Sequence, residues 1–237
     1  MVAWQRDADL LLAEQVALRG ADGTIRVTLP GRLSVSSLVA LARDPDELAR
    51  QVRRPMPRPP ARQARRGTAF HRWLEERYGQ QRLIDDEDLF SDADSEPDAD
   101  LAALRAQFER SEWADRWPTA VEVPFETLIG DRQVRGRIDA VFAGSGAGSG
   151  AGGGAGAGEY DVVDWKTGQP PRSAAERFAV AVQLAAYRLA WAQLAGIPVS
   201  SVRAAFFYVA HNKTVRPADL LDEAGLMALI DRVPTEE

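Results

Sequence analysis

Asp164 and Lys166 stand one residue apart in the segment 159–166, whose alternating residue types read as a strand. Side chains two apart on a strand leave the same face, roughly 6–7 Å from one another. Trp165 between them points the other way, and its backbone carbonyl lies along the strand edge. Asp139 sits on the preceding strand-like segment and, with the two paired as a hairpin in register, projects beside Asp164. Two carboxylates and a carbonyl oxygen make a hard, oxygen-rich set suited to Mg²⁺ or Mn²⁺. Lys166 beside a water on such an ion could orient it or help deprotonate it, and could stabilise charge building on a phosphate. The competing reading is a surface ion pair between Asp164 and Lys166, which would be worth little. Against it, Val162, Val163 and Trp165 make the strand core-like, where two charges are costly unless compensated. Lysine is also scarce: of 29 basic residues only Lys166 and Lys213 are lysines.

The elements that must position these residues follow from periodicity and turn chemistry. Residues 7–19 read as a helix stopped at Gly20, and residues 24–29 alternate like a strand. Ser34 or Ser36 caps a short helix over 37–43, with another reaching about Val52. Thr68 is expected to cap a helix through Tyr78, with Phe70, Trp73 and Leu74 in the core, and a further helix spans about 100–111. Three strands follow. Residues 120–127 set Val121, Val123 and Phe125 against Glu122 and Glu126. Residues 133–142 set Ile138, Ala140 and Phe142 against Arg137, Asp139 and Val141, and the third strand is 159–166. A long helix over 173–194 is closed by Gly196, and a buried strand (202–210) and a last helix (217–231) complete the order. The expected class is α/β with an N-terminal helical elaboration. Residues 1–66 form the helical, Arg- and Pro-rich segment, and residues 67–237 form the core.

Composition narrows the chemistry. The 237 residues contain no cysteine and two histidines, His71 and His211. Disulfides, thiolate nucleophiles and iron–sulfur clusters are therefore excluded, and a multi-histidine zinc site is not expected. No apolar run approaches the ~20 residues of a membrane span, and Arg6, Asp7 and Asp9 interrupt the early apolar stretch, so a cytoplasmic protein is expected. The net charge of −6 averages two opposed blocks. Residues 50–66 hold seven arginines and no acid, while residues 85–100 hold nine acids and no base. The acidic block reads as a solvated loop. The basic block, with Pro55, Pro57, Pro59 and Pro60, reads as extended; it is either an Arg-rich linker or a track for phosphates. Residues 143–158 are sixteen Gly, Ala and Ser residues, a flexible connector with no Gly-Lys-Ser/Thr ending and no nucleotide chemistry.

The runs Gly136-Arg137-Ile138-Asp139, Asp164-Trp165-Lys166-Thr167-Gly168 and Gln183-Leu184-Ala185-Ala186-Tyr187 resemble the three core motifs of the RecB-type branch of the PD-(D/E)XK nucleases. Upstream, Gly67-Thr68-Ala69-Phe70-His71 resembles that family's G-x-x-x-H helix. The Arg/Pro segment leading into it most resembles the C-terminal nuclease domain of actinobacterial AdnB-type helicase–nucleases. The resemblance implies a restriction-endonuclease-like core, a mixed sheet flanked by helices. It implies that His71, Asp139, Asp164 and the Trp165 carbonyl bind Mg²⁺ or Mn²⁺, with Lys166 as the catalytic lysine. Gln183 and Tyr187, one helical turn apart, would support the catalytic strand or the DNA backbone. Glu122 falls where many relatives carry an acid and ranks as secondary, and His211 as structural or a minor DNA contact. Arg58, Arg62, Arg65 and Arg66 are the expected DNA contacts. The four cysteines that hold an iron–sulfur cluster in some members are missing here.

The function implied is a metal-dependent DNase. It would be the nuclease module of a bacterial, nucleoid-associated helicase–nuclease that acts on single-stranded or end-containing DNA in double-strand-break repair. The chain lacks a Walker motif, so the motor or a heterodimer partner would lie elsewhere, with the isolated domain a monomer. The alternatives are a catalytically silent nuclease fold that binds DNA or docks, and a stand-alone RecB-like nuclease.

Overall fold

The computed structural model describes residues 2–17, 27, 29–55, 62–79, 99–144 and 160–231. Within these the order is α1 (Val2–Ala17), β1 (Arg32–Ser34), α2 (Val35–Arg43), α3 (Pro45–Arg53), α4 (Arg62–Arg77), α5 (Ala99–Phe108), β2 (Ala120–Ile129), β3 (Arg132–Ala143), β4 (Tyr160–Lys166), α6 (Ala174–Ala195), β5 (Val202–Tyr208), β6 (Lys213–Val215) and α7 (Glu223–Ile230). The acidic block up to Asp98 and nearly all of the Gly/Ala/Ser connector lie outside the described residues, as does most of the 24–29 segment.

The six strands form one mixed sheet, and helices cover both faces, as the α/β expectation required. β2 and β3 are antiparallel and meet at a two-residue turn, with Gly130 at φ 62 in the first position, which suits a II′ hairpin. β4 and β5 are parallel, joined through α6. Ser173 and Glu176 begin α6 with a reciprocal capping box, both bonds at 3.1 Å, and left-handed Gly196 (φ 65) ends it.

Two apolar clusters lie on the two faces. One gathers α2, α6 and α7 with Ile138, Val141, Val162, Phe206 and Tyr208. The other gathers Phe70, Leu74, Leu104, Phe108 and Trp113 with Ala140, Phe142, Val163, Trp165 and Phe207. Phe70, Phe108 and Trp113 are fully buried; each such side chain contributes about 1.5–3 kcal/mol by leaving water.

The sheet splits at one place. β2 runs along one edge of β3 for most of its length, so β1 and β4 share the other: β1 pairs over residues 133–135, β4 over 140–143. Between them residues 136–139 have no strand partner on that edge. Gly136 is squeezed there: a Cβ would stand 2.7 Å from the Phe125 ring and 2.8 Å from Val35 Cγ2.

Several boundaries differ from the sequence reading. The basic block is not extended throughout: Arg50 and Arg53 belong to α3, and α4 already begins at Arg62. The prolines end with Pro60, and the Arg/Gln/Ala run after them favours helix. Thr68 is therefore interior, and its hydroxyl donates back to the Ala64 carbonyl (3.1 Å) instead of capping. β5 stops at Tyr208 in a 3₁₀ turn, and α7 begins only at Glu223, capped by Asp222. The β3 alternation also breaks: Ile138 and Val141 join one cluster while Ala140 and Phe142 join the other. Across from Asp139, Glu122 adopts a left-handed backbone (φ 48), and the register 121↔140 and 123↔138 passes over that pair. A pleat reversal at Glu122 and Asp139 re-aims both carboxylates.

Candidate active site

The split between β3 and β4 is where the polar side chains converge. The ladder stops at Ala140↔Val163. One step further, Asp139 Oδ2 accepts the Trp165 N–H at 2.8 Å, replacing the next backbone bond. His71 comes from α4 on the far face; its Nδ1 is 3.4 Å from Glu122 Oε1 and 3.8 Å from Asp139 Oδ2, and its Nε2 is 3.3 Å from the Trp165 carbonyl. Arg137 Nη1 lies 3.5 Å from the other Glu122 oxygen.

Asp164 and Lys166 do leave the same face. Lys166 Nζ is 2.7 Å from Asp164 Oδ2, a close ion pair. Gln183 on α6 spans the two: its Nε2 donates to Asp164 Oδ1 (2.8 Å), and its Oε1 accepts from Lys166 Nζ (2.9 Å). The same amide nitrogen is 2.9 Å from Tyr187 Oη, one turn on.

Burial and crowding set the protonation of these groups. Burial and then the neighbouring Asp164 charge push Asp139 up to about 7. Burial works against a charge on His71, but Asp139 and Glu122 outweigh it and raise the imidazole to about 9. Burial likewise opposes the Lys166 charge, yet Asp164 overrides it and holds the amine as ammonium. Burial, with Asp164 and Asp139, keeps the Tyr187 phenol protonated. Lys166 thus stands as an ammonium between Asp164 and Gln183.

Among the described residues one group could hold a metal ion: one ligand atom each from His71, Glu122 and Asp139, all within 4.8 Å of one another. Two carboxylate oxygens, one imidazole nitrogen and the nearby Trp165 carbonyl suit a hard or borderline divalent ion. A dication there would stabilise the Asp139 carboxylate that burial, and then the Asp164 charge, disfavour. The expected residues divide accordingly. His71 and Asp139 meet, together with Glu122, which the sequence ranked as secondary, whereas Asp164 is turned to Lys166 and Gln183. The left-handed backbone at Glu122 was the missing signal, and no residue pattern announces it. Arg58 lies outside the described residues, Arg62 opens α4, and Arg65 is exposed on it. Arg66 faces Asp100 at 2.5 Å, tying the start of α4 to α5. His211 is exposed in the 3₁₀ turn after β5.

Compared with known families, residues 32–233 match the PD-(D/E)XK nuclease superfamily. The chain belongs to that superfamily. Its mixed sheet with flanking helices has the PD-(D/E)XK nuclease architecture, and nucleases of this superfamily use divalent metals. The crystal structure of SSO0001 is similar at 16% identity, covering 88% of this chain and 77% of that one, with a TM-score of 0.38. No curated protein matches the chain. Among the described residues no helix of this PD-(D/E)XK chain is long and apolar enough to cross a membrane.

Proposed function

We propose that the protein is a deoxyribonuclease that hydrolyses DNA phosphodiester bonds with Mg²⁺ or Mn²⁺. The observation that carries this reading is the convergence of His71, Glu122 and Asp139 beside the Asp164–Gln183–Lys166 chain at one split in the sheet. His71, Glu122, Asp139 and the Trp165 carbonyl would hold the ion, with Asp164 at its border. When bound, the ion supplies Lewis acidity toward a phosphate and lowers the pKa of water. Lys166 places its ammonium where charge builds on the phosphate, Gln183 fixes that ammonium against Asp164, and Tyr187 steadies the Gln183 amide. Water gives up a proton to solvent as it attacks phosphorus, the P–O bond to the leaving sugar oxygen breaks, and that oxygen takes up a proton from solvent. Arg58, Arg62, Arg65 and Arg66 would contact the DNA backbone.

The motif likeness to the RecB-type branch, and to AdnB-type helicase–nucleases within it, supports a place as the nuclease module of a DNA-end-processing machine. Its motor would reside in another region or subunit, with DNA repair in a bacterial cytoplasm as the setting. Digestion of labelled DNA with Mn²⁺, with Asp164→Ala in parallel, tests the reading: the wild type cleaves and the variant does not. Equal rates for both would end it.

A further inference from the structure

The first half of β3 has one covered face and one open face. Leu33 on β1, Phe125 and Ile129 on β2, and Val134 and Ile138 on β3 all join the cluster under α2, α6 and α7. The residues that alternate with them are exposed: Arg32 on β1, Pro124, Glu126 and Leu128 on β2, and Arg135 and Arg137 on β3. The pairing sets Pro124 across from Arg137, Glu126 across from Arg135, and Arg32 across from Gln133. Three arginines therefore share this face with Glu126 and, at its inner end, Glu122. Both acids are engaged: Glu126 lies 4.0 Å from Arg32 Nε, and Glu122 lies 3.4 Å from His71 Nδ1 and 3.5 Å from Arg137 Nη1. Among the described residues Arg135 stands in no ion pair, so its charge faces outward uncompensated. In the Arg-rich block before the His71 helix, by contrast, Arg50 pairs with Glu47 at 3.1 Å and Arg66 with Asp100.

The row of arginines begins at the candidate ion site. Arg137 touches Glu122, a member of the group that could hold a metal, and lies two residues before Asp139. Arg135 follows on the same face, roughly 6–7 Å further along the strand. That is close to the step between neighbouring phosphates on a nucleic-acid strand, and a guanidinium fork matches a phosphate oxygen pair.

We propose that the open face of β3 is the surface that holds the DNA backbone beside the reacting phosphate, with Arg137 and then Arg135 on successive phosphates and Arg32 at the far end. The assignment rests on the nuclease reading for its meaning, but its test reads binding alone. The measurement is fluorescence anisotropy of the whole chain in EDTA with a labelled DNA hairpin that carries a thymidine tail, so that paired and unpaired backbone are both on offer. Arg135→Ala/Arg137→Ala weakens binding about tenfold and flattens the salt slope by about 1.4–1.8, two contacts at ~0.7–0.9 each. Arg135→Lys/Arg137→Lys keeps the charges and restores the slope. Glu126→Gln removes an acid from the same face and tightens binding, a gain that a damaged fold cannot mimic. Arg110→Ala/Arg177→Ala removes the same charge from exposed positions elsewhere and changes affinity less than twofold. Wild-type affinity and slope in Arg135→Ala/Arg137→Ala, or an equal loss in Arg110→Ala/Arg177→Ala, overturns the proposal. If binding through this face holds while the wild type shows no Mn²⁺-dependent cleavage, the nuclease reading fails and the surface stands. If the wild type cleaves while Arg135→Ala/Arg137→Ala binds normally, the surface fails and the nuclease reading stands.

Discussion

The Gln183 side-chain amide joins Asp164 to Lys166, donating to one at 2.8 Å and accepting from the other at 2.9 Å. The i, i+4 partner Tyr187 takes a further contact from the same nitrogen. A helix on one face of the sheet thereby fixes the orientation of two charges at the end of β4. Each of the two amide atoms has one required direction, so the amide cannot be flipped without breaking both bonds.

Replacing Gln183 with Ala is expected to lower DNA cleavage about 10–100-fold, as for other groups that orient a metal site from behind. Mn²⁺ affinity should change little, because His71, Glu122 and Asp139 do not touch this amide, while the melt should fall because the buried Asp164 carboxylate loses its donor, at a cost of about 1–3 kcal/mol. A gel-based rate on labelled DNA, with calorimetry on the same preparation, separates the two effects. Loss of Mn²⁺ binding in Gln183→Ala would show that Asp164, not Glu122, is the dominant acid at the ion.

Glu122 is testable through its backbone. A non-glycine residue at φ 48 costs on the order of 1 kcal/mol. Glu122→Ala and Glu122→Gly both delete the carboxylate, so both should weaken Mn²⁺ binding by tenfold or more in calorimetry. The glycine variant should melt higher than the alanine variant, by about 2–4 °C per kcal/mol recovered. Identical melts would mean that the left-handed turn is not strained.

Stability should depend on pH with a defined sign. His71 is raised from 6.5 to about 9, so its contribution is complete below pH 6.5 and lost as pH climbs through 9. Asp139 is raised from 3.8 to about 7, so above pH 7 the folded protein carries a buried carboxylate that the unfolded chain keeps in water. In both cases the native state binds more protons, and metal-free stability falls as pH rises. In EDTA, melts should fall steadily between pH 6 and 9, by ~2–4 °C per kcal/mol. Mn²⁺ must displace those protons, so its affinity and its stabilising effect should both grow over the same interval. Asp139→Asn should flatten the profile.

Gly136→Ala tests the close approach of β3 to its neighbours. The added methyl meets the Phe125 ring at 2.7 Å and Val35 at 2.8 Å. Overpacking of this kind costs about 1–3 kcal/mol. The melting temperature should drop, and Mn²⁺ affinity should drop with it, because Asp139 is three residues further along the same strand. An unchanged melt would show that β3 yields freely.

The long helix, the four longest strands and the β3–β4 hairpin were readable because each rests on a local pattern. Ser173 and Glu176 announce the start of α6, Gly196 its end, and apolar runs mark β4 and β5. β1 and β6, at three residues each, are too short for any periodicity to register. The start of α4 was hidden by the prolines before it. Val121 and Val123 pack on opposite faces, so strict alternation across Glu122 leaves its direction open, and the left-handed backbone at φ 48 is not written in any residue pattern. The Asp164–Gln183 bond was equally invisible, since it depends on how α6 docks across β4. Asp161, buried between Arg116 at 3.3 Å and Arg203 at 3.0 Å, gave no sign in a strand read for its metal-facing side.

The hairpin of β3 and β4 closes at Ala143↔Tyr160, the end opposite Asp139 and Asp164. The sixteen-residue stretch of Gly, Ala and Ser therefore joins the two strands at the end remote from the reacting atoms. Doubling such a connection costs only about 0.6 kcal/mol in closure entropy. Descendants of this gene can lengthen, trim or replace that stretch with little selection against them, and a protein engineer can insert a fluorescent reporter there on the same grounds.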